Sequence, residues 1–181
     1  MAKISNTSAY PNITNIDVSD YLIITDAENN LMTKTCTLGT LQTLFGLDTI
    51  VTKVAITASQ LQTIFTVPVT LIPSPGAGKV LDIMSVMVSF DAGNTVYDFA
   101  SGNNLLLLAG TSNQYAILAA TLNSATDSVK KLALNAATGG QINIPSGVPL
   151  TLKANSANPT QGNGLLYLNI SYRVLTIGTT F

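Results

Sequence analysis

The sequence predicts an all-β sandwich with a small hairpin and helix at its N-terminal end. Three observations carry that expectation. Clusters of Gly, Pro, Asn and Ser punctuate residues 51–181 roughly every ten residues, the rhythm of a sandwich or barrel. The stretch from Leu165 to Val174 places Leu166, Leu168, Ile170, Tyr172 and Val174 on one face, the period of two that a half-buried strand requires. Hydrophobic residues make up 46% of the 181-residue chain and charged residues 9%. That is enough for a core, and the reverse of the charge-rich balance that keeps chains disordered.

The chain divides by texture into residues 1–50 and 51–181. In the first part, polar sequence through Tyr10-Pro11-Asn12 gives way to the apolar run Tyr21-Leu22-Ile23-Ile24. Asp26 to Asn30 reads as a turn and Leu31 to Cys36 as a returning strand. A short helix follows, with Thr37 as N-cap, Leu38, Leu41 and Phe45 on one stripe, and Gly46 just past its end. About two turns of helix are stable only when docked. The stripe needs either a partner surface or the chain's own C-terminal domain.

In the second part, Thr57-Ala58-Ser59-Gln60 has the spacing of a capping box, which turns Leu61 and Ile64 inward before Pro68. Val80 to Phe90 reads as a long strand. Met84, Val86, Val88 and Phe90 lie on one face, and Leu81, Ile83 and Met87 on the other. Burial on both faces is expected, and a subunit interface, such as a ring of three, would account for it. Leu105 to Leu108 and Tyr115 to Ala120 frame Gly110 to Gln114 as a hairpin. Val148 to Lys153 and a loop from Asn155 to Gly164 lead to the final strand. Two sheets of about four strands each follow, a jelly-roll-like β-sandwich that hides its edges by stacking.

Composition excludes several functions. The chain has no His, so Ser-His-Asp and Cys-His mechanisms are out, as is an imidazole metal site. One cysteine, Cys36, supports neither an internal disulfide nor a zinc site. Eight Lys and Arg against nine Asp and Glu leave a net charge of −1, which supplies no phosphate-neutralising stripe for nucleic acid. Apolar runs such as Leu105 to Ala109 fall far short of the ~20 residues of a membrane span, and the N-terminus lacks the apolar region of a signal peptide. So few charges favour a tight oligomer or a large assembly over an isolated molecule.

Gly76-Ala77-Gly78-Lys79 departs from a phosphate loop, because Pro73 and Val80 stand where Gly and Ser or Thr belong; a tight inter-strand turn is expected. The densest acidic group is Asp91 with Asp98, where Asp91 is expected to cap a turn and a structural Ca²⁺ is a minor alternative. The single glutamate, Glu28, leaves no carboxylate pair of the kind glycosidases use. Asp91, Asn94, Tyr97, Asn113 and Tyr115 are candidate ligand-loop residues. No catalytic residue, metal or cofactor is expected.

Two sets of residues carry a resemblance. Asp20-Tyr21-Leu22-Ile23-Ile24 and Lys34-Thr35-Cys36-Thr37-Leu38-Gly39-Thr40-Leu41 resemble a short N-terminal attachment module of tailed-phage appendage proteins. Thr66 to Pro73, Gly76 to Lys79 and Gly162 to Tyr172 are similar to a β-sandwich domain of phage virion proteins, among them head fibres and capsid decorations of crAss-like and related podoviral phages. The resemblance implies a non-enzymatic virion protein on the capsid surface, made in the bacterial host cytoplasm. It implies a homotrimer whose N-terminal arm docks through Leu38, Leu41 and Phe45 on the major capsid protein or another fibre subunit. The chain is short for a tail fibre, which favours a compact head decoration. The alternative is a tail fibre or receptor-binding adhesin that contacts a host surface glycan through the loop residues above.

Overall fold

A computed structural model describes residues 19–26, 32–44, 49–134 and 142–178. The chain forms two compact units, Met1–Asp48 and Thr49–Phe181.

In the first unit, β1 (Tyr21–Asp26) pairs antiparallel with β2 (Met32–Thr37), from Tyr21 opposite Thr37 to Asp26 opposite Met32. Helix α1 (Leu38–Leu44) follows β2 directly. Thr37 caps it as expected: its hydroxyl oxygen accepts from the Thr40 amide at 3.1 Å, which satisfies one of the amides a helix start leaves unpaired. The Leu38 amide donates to the Asp20 carbonyl at 2.9 Å, tying the helix start to the head of β1. Gly46 lies outside the described residues.

The second unit holds eight strands in two four-stranded sheets. They are β3 (Ile50–Ile56), β4 (Val69–Ile72), β5 (Lys79–Asp91), β6 (Leu105–Ala109), β7 (Ser112–Ile117), β8 (Ser128–Lys131), β9 (Leu150–Ala154) and β10 (Leu165–Thr176). One sheet runs β3-β10-β5-β8 and the other β4-β9-β6-β7, every neighbouring pair antiparallel. The eight strands pair in a nest, first with eighth, second with seventh, third with sixth and fourth with fifth. That is the jelly-roll-like sandwich the turn rhythm predicts.

Alternation does the packing. Leu166, Leu168 and Ile170 of β10 meet Leu105, Leu107, Leu150 and Leu152 of the other sheet in one cluster, all of them buried. Helix α2 (Ala58–Gln62) closes one end with the expected capping box. The Thr57 amide donates to Gln60 Oε1 at 2.9 Å and the Gln60 amide to Thr57 Oγ1 at 3.3 Å, and Leu61 and Ile64 enter the core fully buried. Gly76 and Gly78 adopt positive φ, and the Lys79 amide reaches back to the Gly76 carbonyl at 3.3 Å. The segment is a turn into β5. A short helix, α3 (Ala119–Leu122), stands where the sequence suggested the end of a strand.

Strand β5 corrects one expectation. It is not buried on both faces. Its register against β10 slips between Ser171 and Tyr172, so that Ser171 faces Ser85 and Tyr172 faces Ile83, which leaves Met84 as an extra residue. Such a bulge exchanges the two faces of a strand. Leu81 and Ile83 before it, and Val86, Val88 and Phe90 after it, therefore all enter the same core. Met84 and Met87 stay exposed. The apolar residues of both parities belong to one interior, so this strand supplies no argument for a subunit interface. Val174, expected on the core face of β10, is also exposed.

Candidate functional site

The long loops converge on one end of the sandwich, where β5 finishes and β10 begins. Asn and Asp side chains there serve as acceptors for the backbone of neighbouring loops. Asn163 Oδ1 accepts from the amides of Asn94 at 3.0 Å and Thr95 at 2.9 Å. Asn103 Oδ1 accepts from Ser156 at 2.8 Å while its Nδ2 donates to the Ala157 carbonyl at 2.8 Å. Asn123 grips Phe99 through both atoms, at 3.0 and 2.7 Å. Asp127 accepts from Ala92 at 3.0 Å, and Asn158 from Phe65 at 2.7 Å. Loops cannot hydrogen-bond to themselves as strands do, so each buried amide needs such a partner.

Asp98 holds the loops at 98 and 160 together. Its carboxylate accepts from the Thr160 hydroxyl and, at 2.7 Å, from the Thr160 amide. These two bonds keep its carboxyl below the usual 3.8, because they favour the ionised form. A carboxyl depressed in the folded state adds stability above its unfolded pKa and loses it as pH falls through the folded value. We expect the urea midpoint to drop on acidification below pH 3.8, and Asp98→Asn to flatten that part of the profile. An unchanged profile in the variant would remove this clamp from the account.

The ligand-loop candidates separate under this geometry. Asp91 caps its own turn as expected, Oδ1 accepting from the Gly93 amide at 3.3 Å. Asn94 is exposed at the same end. Tyr97 and Tyr115, expected near loops, are both core residues. Tyr97 is 1% exposed, lies 6.3 Å from Phe90 and 5.8 Å from Phe99, and donates to the Gly164 carbonyl at 2.8 Å. Burial pushes its hydroxyl up to about 12. Tyr115 donates to the Ile83 carbonyl at 3.1 Å, a strut between the two sheets, and burial, with the Asp82 charge, raises its pKa too. Asn113 sits beside the Gly110-Thr111 turn, at the far end of β6 from Asp91 and Asn94. Its Oδ1 is buried without a hydrogen-bond partner among the described residues. The five candidates therefore do not form one surface.

Of the docking stripe, Leu38 and Leu41 are half-buried, three residues apart on one side of α1, and Phe45 lies outside the described residues. Sequence reasoning passed over the exposed apolar residues beside that stripe. Tyr21 is 70% exposed and Ile23 78%. Their position in an apolar run was the available signal, and it read equally well as a buried strand. In the sandwich, hollows of about 210 Å³ at Lys53, Met87 and Tyr167 and about 490 Å³ at Phe99, Asn104 and Leu118 are lined without a carboxylate. No group of three or more acidic, His or Cys residues converges to hold a metal among the described residues, and no helix there is long and apolar enough to cross a membrane.

No protein-family model matches the chain, and no curated protein matches it. A solved chain described as "Cyanophage Pam1 capsid asymmetric unit" is similar at 15% identity and a TM-score of 0.44, over 68% of this chain and 81% of that one.

Proposed function

We propose that the chain is a non-enzymatic structural protein of a bacteriophage virion, a head fibre or capsid decoration that forms a homotrimer. One observation carries the reading. A compact N-terminal unit presents exposed Tyr21, Leu22 and Ile23 and the half-buried pair Leu38 and Leu41, whereas in the sandwich Asp98, Asp127, Asn103, Asn123, Asn158 and Asn163 are engaged with loop backbone. Exposed apolar residues grouped in a small unit mark a surface meant for a partner. The resemblance of residues 20–24 and 34–41 to a phage attachment module supports the same reading, as does the scarcity of charge. In this account the arm docks on the major capsid protein or another fibre subunit, with Leu38, Leu41 and Phe45 laid into a groove, and the sandwich faces solvent.

The test is particle incorporation. Leu38→Asp with Leu41→Asp should abolish recovery of the protein on purified virions, while circular dichroism still reports a folded sandwich. Normal incorporation of that variant would remove the anchor assignment. Immunogold labelling scattered over the heads supports decoration; labelling confined to tails would replace it with the receptor-binding alternative.

A further inference from the structure

The four sheet edges of the sandwich are not alike. Edges expose unpaired backbone groups, and proteins blunt them with short strands, prolines, lysines or bulges. Strand β4 has four residues, an irregular register and Pro68 and Pro73 on either side. Strand β8 also has four, ending in Lys130 and Lys131. The outer side of β7 is partly covered by a bridge from Tyr115 to Leu134. Strand β3 is not short, proline-flanked or bulged, and of these devices it carries a single lysine, Lys53. It runs seven residues in unbroken register with β10, without a proline, and nothing pairs with its outer side among the described residues. Ile50 and Val51 are exposed along it.

The first unit has the complementary need. Its β1-β2 ribbon is two-stranded, with one side of β1 unpaired among the described residues, and a lone two-stranded ribbon is marginal in water. Charge matches as well. Residues 1–48 contain five acidic and two basic residues, net −3, and residues 49–181 contain four acidic and six basic, net +2. On the outer face of the receiving sheet, Lys53 lies in the middle of β3 and makes no ion pair among the described residues.

We infer that β3 is a docking edge for β1 of a second copy of this chain, which extends the β3-β10-β5-β8 sheet by strand addition. The six residues of β1 span the seven of β3. The two partner surfaces differ, so the contact is head-to-tail. The inference goes beyond the virion reading and does not depend on it, because its readout is association of the purified protein.

The test uses the full chain with Cys36→Ser. One tagged variant carries Ile23→Cys, and a second, with a different tag, carries Val51→Cys, Lys53→Cys or Ala55→Cys. Strand neighbours sit within disulfide reach, so mixing the two and oxidising should cross-link at least one of these pairs between differently tagged copies. Separately, Lys53→Glu should weaken association about tenfold or more, while Lys131→Glu, on β8 at the opposite edge of the same sheet, leaves it unchanged. Absence of any mixed cross-link overturns the inference. So does a disulfide that forms only within one chain when both cysteines share it, or equal effects of the two charge reversals in proteins of unchanged fold.

Discussion

Gly162→Ala is expected to lower the unfolding midpoint of the sandwich by about 10 °C, as befits ~3 kcal/mol or more in a domain of this size. The residue stands at φ +122, a region that side chains strain to adopt. A Cβ built there lies 2.1 Å from Tyr97 Cδ1 and 2.4 Å from Cγ, far inside contact distance. Tyr97 cannot retreat. Its ring is wedged beside Phe90 and Phe99, and its hydroxyl is tied to Gly164. Gln62 also donates to the Gly162 carbonyl at 2.8 Å, so the backbone is held from the other side. The mechanism makes a second statement. In a Tyr97→Leu background the added cost of Gly162→Ala should shrink, because residues in contact do not act additively. Differential scanning calorimetry of the four proteins decides it; equal costs in both backgrounds would mean that the ring is not the obstacle.

Phe90→Ala should cost about 3–5 kcal/mol, the range for emptying a fully buried aromatic site. Phe90 is 1% exposed, and its ring edge lies against Gly164, where a Cβ would approach it to 2.9 Å. Removing the ring opens a cavity beside Tyr97 that the strands cannot close, because β5 is paired on both sides there, with Leu166 on β10 and Ser128 on β8. Phe90→Leu keeps most of the volume and should cost markedly less. Urea titration measures both, and similar midpoints for Phe90→Ala and the unaltered protein would show that the site collapses.

Much of the fold is legible locally. The alternation of Leu166, Leu168 and Ile170, the capping box at Thr57 and Gln60, and the N-cap at Thr37 each involve residues a few positions apart. What the sequence hides is set by distant pairing. The bulge at Met84 is a relation between β5 and β10, and without it Leu81 and Ile83 read as the opposite face from Val86. The tyrosines misled for a related reason. Tyr97 lies in a stretch with the composition of a loop, yet Gly164 and Phe90 draw it into the core. The clamps on Asn103, Asn123 and Asn163 were equally invisible, since an asparagine in a loop looks the same whether it faces water or an amide from across the molecule. The placement of Leu38 and Leu41 on one side of a short helix was readable from helical spacing alone.

The nested pairing also sets a timetable for biosynthesis. Ile56 of β3 pairs with Leu166 of β10, so a hundred residues or more must leave the ribosome before β3 has a neighbour. At roughly 5–20 residues per second, the first sandwich strand waits about 5–20 s with its backbone unpaired. The β6-β7 hairpin, by contrast, can close as soon as it emerges. Ribosome-bound or prematurely terminated chains lacking β10 would expose β3 and the inner face of β5 together, and such intermediates are the natural clients of chaperones.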